Sequence, residues 1–507
     1  MRVTLGVLRQ ALLLSAAVGV AIGLAPVTGH AQVLSDAVRS RLAAWYRSAA
    51  RSAPGGWGIA IANQTGEIIW SVKPDEPMIP ASTVKVLTTG FARSVLGGDA
   101  RLATRVAGTG HVDPVSGAWV GSWSLQLNGD PTLERANRGG PTLNELARQL
   151  ASLGIRHLSG PLEVTSEGGA TDVVYPAAWS PRHWGRIFAP LIGPITLNEN
   201  VVWLIIRPGA RVGAAAVLQS TAPQGLDALV NLRATTGNGR RSRLALTRKA
   251  DGGLLVTGRI GLRSAPRRLI SVASNPAAVL AETWASALRH AGIEWTRTAP
   301  DKPVDEGEGE GEQVLAEVNS PPLDSLATEI NTRSLNIGAE LLLQWAAGPD
   351  QGPELLTEHV QQVAGVAGGV RLVDGSGLSS DDRVTPATFV SYLARFPNTA
   401  AGKNFPMLLP ANGTGTLRRL ASGLPAPGVV HAKTGTLGNV STLVGYLGRK
   451  DGELLISVMY NGGRPSVAKR AQWKLFRMLG ADGMVIPTDS TGEELVEPEQ
   501  LGGDQAK

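Results

Sequence analysis

Val429-Val430-His431-Ala432-Lys433-Thr434-Gly435-Thr436-Leu437, followed by Ser441–Leu447 and Glu453–Tyr460, is the stretch that decides how this chain is read. Val429 to Thr436, Ser441 to Leu447 and Glu453 to Tyr460 read as three strands, the last two joined by the hairpin turn Gly448-Arg449-Lys450-Asp451-Gly452. A helix over Ser466 to Leu479 follows. Matching pieces stand near the other end. Leu34, Val38, Leu42, Trp45 and Tyr46 share one side of a helix predicted over Ser35 to Ala50. Trp57–Ala62 and Glu67–Val72 flank the turn Asn63-Gln64-Thr65-Gly66 as a hairpin, and Pro80 precedes a helix from about Ser82 to Leu96. Antiparallel strands and helices at both ends predict one α+β domain assembled from the two termini, an antiparallel sheet flanked by helices.

Between these ends the texture changes. Strand-like segments (Gly121–Leu127, Leu162–Thr165, Val201–Ile206, Leu254–Arg259) alternate with turns, and Leu143–Leu153 and Ala277–Ala291 read as helices. The expected division is a discontinuous domain of residues 32–95 and 316–488, interrupted by a large, mainly β insertion of one or two modules at 96–315. Residues 301–312 form an acidic, glycine-rich linker and 489–507 an acidic flexible tail.

Composition narrows the chemistry. The 507 residues are 43% hydrophobic, enough for real cores, and contain no cysteine, which excludes disulfides, thiolate metal sites and a thiol nucleophile. Seven histidines form no HExxH pair, so no metal is expected. Arg2 and Arg9 precede the apolar run Ala11–Leu24, and Gly29-His30-Ala31 closes a small-residue stretch. This is the layout of a signal peptide over residues 1–31, implying export and no transmembrane segment after processing. Loss of that segment leaves a net charge of +4, and the linker and the tail each carry −5. The remainder is therefore near +14, with 38 arginines against ten lysines. The basic residues are dispersed and no aromatic-basic motif appears, so nucleic acid is not an expected partner.

Because lysine is scarce, its placement informs. Ser-x-x-Lys occurs twice, at Ser82-Thr83-Val84-Lys85 and at Ser466-Val467-Ala468-Lys469; Ser334-Leu335-Asn336 and Lys433-Thr434-Gly435 each occur once. A spacing of three on a helix puts Lys85 on the face of Ser82, within reach of the hydroxyl as its base. Ser82 stands at the helix N-terminus, where free N–H groups favour developing negative charge. Lys433 and the hydroxyls of Thr434 and Thr436 suit a free carboxylate, and Gly435 leaves room for a substrate backbone along the strand edge. The N–H groups of Ser82 and Thr436 are the natural oxyanion donors. Ser334 and Asn336 pass protons and orient a peptide. Ser466 and Lys469 read instead as the cap and first turn of the last helix. His431 stands two residues before Lys433, but no serine and acid partner it, and Gly375-Ser376-Gly377 lacks the spacing of a nucleophile elbow.

With these motifs in order, the chain resembles the low-molecular-mass class C penicillin-binding proteins, serine D-alanyl-D-alanine carboxypeptidases and endopeptidases with an insertion between SxxK and SxN. That gap is 252 residues here, and Gly129-Asp130-Pro131-Thr132-Leu133, Leu197-Asn198-Glu199-Asn200, Asp374-Gly375-Ser376-Gly377-Leu378 and Gly415-Thr416-Leu417-Arg418 add to the likeness. The resemblance implies a transpeptidase-like fold shared with β-lactamases. It implies Ser82 as acylated nucleophile, Lys85 as base, and Ser334 and Asn336 in the proton and peptide network. Lys433, Thr434, Gly435 and Thr436 would hold the terminal D-alanine. Expected partners are peptidoglycan stem peptides and β-lactams, in the periplasm or cell envelope, with no cofactor. Leu335 stands where the family often has a polar residue; the stretch corresponding to the one where some members carry a substrate-reading acid is Val164-Thr165-Ser166-Glu167-Gly168, with that acid unassigned and the substrate side-chain preference open. A β-lactamase-type hydrolase and a non-catalytic peptidoglycan-binding protein are the alternatives; the oligomeric state is not legible.

Overall fold

The computed structural model describes residues 34–298, except Asn137, and 311–487. The expected signal segment, most of the linker at 301–312 and the acidic tail lie outside the described residues.

The central sheet has five antiparallel strands: β1 (Gly56–Asn63), β2 (Ile68–Val72), β3 (Val430–Leu437), β4 (Val440–Arg449) and β5 (Gly452–Asn461), in the order β3-β4-β5-β1-β2. The two chain ends meet where β1 pairs with β5, from Gly56 opposite Asn461 to Asn63 opposite Leu454. Both faces of the sheet are covered, which is why β1 reads as an almost unbroken apolar run. Ile59, Ile61, Ile456 and Val458 face α1 (Asp36–Ser52) and α6 (Pro465–Leu479). Ala60, Ala62, Leu455 and Met459 face α2 (Val84–Leu96), α3 (Leu323–Arg333), α4 (Asn336–Ala364) and α5 (Pro386–Arg395). Small residues on β1 toward the second group let α5 approach closely, a Cβ on Gly58 coming 2.8 Å from Pro386 Cγ. Each fully buried aliphatic side chain contributes about 1.5–3 kcal/mol.

Local signals act as the sequence predicts, with one correction. Ser35 caps α1 by accepting from Val38 N, and Trp45 Nε1 donates to the Ala471 carbonyl, tying α1 to α6. Ser466 is not the cap of α6. Arg464 occupies that position, Pro465 fills the first helical site with its φ already set, and Ser466 lies inside the first turn. Lys469 lies over the Trp473 ring at 5.5 Å.

The insertion has two cores. One lies between a sheet of Gln313–Asn319, Ala103–Val112, Trp119–Gln126 and Val164–Thr165 and the helices Leu143–Ser152 and Pro276–His290. The other, around Val202, Leu204, Val256 and Ile260, is built on Val201–Arg207, Leu254–Gly261 and their neighbours. The boundary expected at 315/316 cuts the strand Gln313–Asn319. That strand pairs with Ala103–Val112 and buries Leu315 and Ala316 in the first of these cores, so the chain leaves the insertion after Asn319.

Candidate active site

A short 3₁₀ turn, Ala81–Thr83, leads into α2 and carries Ser82, with Lys85 one turn on. Ala81 has φ +50°, a left-handed conformation costing a residue with a Cβ about 1–2 kcal/mol, directly before the serine. The turn is clamped from two sides. A Cβ on Gly435 would lie 2.6 Å from the Pro80 carbonyl oxygen and 2.1 Å from Thr442 Oγ1, and a Cβ on Gly377 would lie 1.9 Å from the Ala81 carbonyl oxygen. The space beside Gly435 is therefore filled by the serine turn, not by a substrate backbone.

Lys85 is wholly buried, and its Nζ lies 3.2 Å from Ser82 Oγ, 2.7 Å from Asn336 Oδ1 and 2.6 Å from the Ser376 carbonyl oxygen. A neutral amine has two N–H bonds and one lone pair. The two carbonyl oxygens accept the N–H bonds, which leaves the lone pair for the hydroxyl proton of Ser82. Burial lowers the Lys85 pKa to about 8, against the opposing pull of Asp374, Glu340 and Asp382. An unburied lysine would be almost fully protonated at neutral pH and unable to serve as base.

Ser334 ends α3 in a left-handed conformation (φ +60°, ψ +45°), which turns the chain so that Asn336 opens α4. Between them Leu335 packs against the helical core, and its N–H bonds the Ile330 carbonyl. Lys433, also wholly buried, donates to Ser334 Oγ at 2.9 Å and to the Thr434 carbonyl at 2.9 Å. Burial pushes its pKa well down, and the nearby Lys85 charge adds to this. Ser82, Lys85, Ser334, Asn336 and Lys433 thus converge on one cleft.

Strand β3 forms its edge. Asn412 N donates to the Val430 carbonyl and Ala432 N to the Pro410 carbonyl, so alternate residues of β3 direct their backbone groups away from β4. Thr434 and Thr436 follow the same alternation, and Thr436, itself exposed, turns its N–H toward the open edge beside the serine turn. His431 has a structural role: buried, it is held by the Leu409 carbonyl, and desolvation lowers its pKa.

Sequence reasoning missed two walls of this cleft. One is Asp374–Ser379, whose Ser376 carbonyl orients Lys85. Asp374 accepts from the N–H groups of Ser376, Gly377 and Ser379 at 3.1, 2.5 and 2.7 Å. Glu340 and Asp382 are buried beside it, accepting from Gly375 N and Val373 N. Desolvation and the Asp374 charge raise Glu340 to about 8 and Asp382 well above its usual range. The signal was there, since glycine and serine after an aspartate make a backbone nest, but only tertiary contact gives the nest its purpose. The other wall is the insertion. Trp179, Ala189 and Ile192 pack on Ile337 and Leu341 of α4 and on Leu378, and Asn336 Nδ2 donates to the Phe188 carbonyl at 2.8 Å. Glu199 also pairs with Arg333 at 2.5 Å, immediately before Ser334, while Arg135 pairs with Glu329. Glu167 bonds Arg105 at 2.7 Å.

Comparison with known proteins agrees with this architecture. Residues 50–480 match the model of the D-Ala-D-Ala carboxypeptidase 3 (S13) family. A D-alanyl-D-alanine carboxypeptidase from Actinomadura sp. (strain R39) is 28% identical over 426 residues, covering 80% of this chain and 77% of the relative. A D-alanyl-D-alanine carboxypeptidase from Haemophilus influenzae is 24% identical over 401 residues, 76% of this chain and 81% of the relative. The crystal structure of penicillin binding protein 4 from Haemophilus influenzae superposes with a TM-score of 0.68 at 22% identity, covering 85% of this chain and 98% of that one. A second structure of it, complexed with a β-lactam, gives 0.64 at 22% identity, covering 86% and 99%. The chain belongs to the D-Ala-D-Ala carboxypeptidase 3 (S13) family of serine peptidases, within the low-molecular-mass class C penicillin-binding proteins.

Proposed function

We propose that Ser82 is the acylated nucleophile of an exported DD-carboxypeptidase that removes the terminal D-alanine from peptidoglycan stem peptides. The reading rests on one observation: Lys85 Nζ lies within reach of Ser82 Oγ while two carbonyl oxygens take up its N–H bonds. Neutral Lys85 takes the Ser82 proton as Oγ bonds the carbonyl carbon of the D-Ala–D-Ala amide. The oxyanion is met by the N–H groups of Ser82 and Thr436, each such donor contributing about 3 kcal/mol in the transition state. The C–N bond breaks, the departing nitrogen takes a proton through Ser334, and free D-alanine leaves. Water then attacks the ester, and Ser82 regains its proton.

Lys433, with the hydroxyls of Thr434 and Thr436, meets the terminal carboxylate. The incoming anion offsets the burial that otherwise disfavours charge on Lys433. β-Lactams present the same amide within a ring, so the leaving nitrogen stays tethered and the acyl-enzyme persists. Against the β-lactamase alternative, Glu340, the buried carboxyl near Lys85, is raised to about 8 and so holds its proton at neutral pH rather than serving as a deacylating base. Export follows from the layout of residues 1–31, and among the described residues no helix is long and apolar enough to cross a membrane.

The test is to incubate the wild-type chain and Ser82→Ala with uncross-linked pentapeptide and cross-linked muropeptides and to measure free D-alanine and cleaved dimers. The wild type releases D-alanine and Ser82→Ala releases none. Undiminished release by the variant overturns the assignment, and cleavage of dimers places endopeptidase action beside it.

A further inference from the structure

The second module of the insertion, residues 201–272, holds twelve of the chain's 48 lysines and arginines and only two acids, Asp227 and Asp251. All twelve basic residues are exposed. Six of them gather at one end of the module: Arg211, Arg240, Arg241, Arg243, Arg259 and Arg263. Backbone bonds fix this end. Gly213 N donates to the Thr236 carbonyl, Leu262 N to the Gly237 carbonyl and Arg263 N to the Gly239 carbonyl, so three loops are drawn together there. Arg243 stands directly opposite Arg259 in the antiparallel ladder. The Arg259 stem lies across Gly237, where a Cβ would come 3.4 Å from its Cδ.

Like charges opposed across a ladder destabilise a sheet. None of the six guanidinium groups is paired with a carboxylate among the described residues, whereas elsewhere in the insertion Arg105 pairs with Glu317 and Glu167, and Arg135 with Glu329. This end therefore carries an uncompensated charge that an external anion would relieve. It also carries apolar tips. Val212, beside Arg211, is 52% exposed, and Leu262, beside Arg263, is 36% exposed. Exposed aliphatic tips ringed by arginines suit a surface that is anionic outside and apolar just beneath. A soluble polyanion would satisfy the arginines but leave Val212 and Leu262 in water.

We propose that this end of the module docks the protein on an anionic phospholipid bilayer, with the six arginines at the headgroups and Val212 and Leu262 entering the interface. The docking surface involves none of the residues that hold the peptide, so it concentrates the enzyme at a membrane without taking part in the chemistry.

Sedimentation with vesicles tests this on the full mature chain. The expected result is binding to phosphatidylglycerol–phosphatidylcholine vesicles, little binding to phosphatidylcholine alone, and weakening as salt rises. Arg240→Gln/Arg241→Gln/Arg263→Gln should lower partitioning by about five-fold per arginine removed. Val212→Ser/Leu262→Ser should lower it while leaving retention on a heparin column unchanged. Both variants should keep wild-type β-lactam acylation, which shows that they fold. Equal binding to neutral and anionic vesicles, or heparin retention without vesicle binding, overturns the proposal, the second outcome assigning the arginines to a soluble polyanion. No binding by the wild type in low salt overturns it as well.

Discussion

Lys85 Nζ lies 2.7 Å from Asn336 Oδ1, so a single hydrogen bond joins the first turn of α2 to the first turn of α4 across the cleft. The two residues are 251 positions apart, and the insertion occupies most of the chain between them. The bond fixes the amide as well as the amine: with Oδ1 turned to Lys85, Nδ2 faces outward to the Phe188 carbonyl. Asn336→Ala removes an N–H acceptor and lets the lysine swing. Acylation by labelled penicillin should then slow by about 10²-fold, measured as the second-order rate in stopped time courses. An unchanged rate would show that Asn336 does not orient the base.

Lys85→Met keeps the length of the side chain and removes the base. Acylation should fall by about 10²–10⁴-fold, with Ser82 still present and the far-ultraviolet spectrum unchanged. A variant acylated at the wild-type rate would transfer the role of base to another group.

Acylation needs the neutral amine, so its rate should rise with pH and level off above about 8, the Lys85 value. Glu340, buried close by, pulls that value upward. Glu340→Gln should therefore move the limb to lower pH. The variant also reports on stability. The Glu340 carboxyl is raised to about 8 in the folded chain, so its contribution is fully present below the unfolded value near 4.5 and is lost as pH rises through about 8. Glu340→Gln should flatten the fall in Tm across that window. A limb that stays put, or shifts upward, contradicts the coupling.

Gly435→Ala places a methyl against the Pro80 carbonyl and Thr442 Oγ1. The serine turn must move, at a cost of about 1–3 kcal/mol. Both the Tm and the acylation rate should drop, and Thr442→Ser, which keeps the hydroxyl, should restore neither. If Gly435 served only to admit substrate, peptide turnover would suffer while the Tm stayed constant.

Trp179 is 1% exposed and anchors the insertion on α4. Trp179→Ala should cost about 3–5 kcal/mol and release the Phe188 carbonyl from Asn336. For a muropeptide substrate, KM should rise more than kcat falls. A loss confined to kcat would place the insertion's effect on the chemistry rather than on the cleft wall.

The strands and their hairpins were legible because both faces of β1 and β5 are buried and their turns carry glycine and asparagine, whereas the strand order, with β1 beside β5, comes from the structure. The three motifs were legible because lysine is rare, so Lys85 and Lys433 stood out. Other features depend on contacts between distant segments. Nothing local tells that the Ser376 carbonyl meets Lys85, that Phe188 meets Asn336, or that Glu340 lies among other carboxyls. Gly435 shows the same limit: the need for a glycine was readable, but the group that fills its space comes from residues 80–81. The boundary at 315/316 failed because Leu315 and Ala316 belong to a strand whose partners stand more than 200 positions earlier.

The central claim, a lysine-activated hydroxyl at position 82, is tested most directly by intact-mass and peptide mapping after exposure to penicillin. One covalent equivalent should appear on the wild type, located on Ser82 within the peptide spanning Lys85, and none on Ser82→Ala. An adduct that persists in Ser82→Ala, or one mapped to Ser334 or Ser466 in the wild type, would contradict the account.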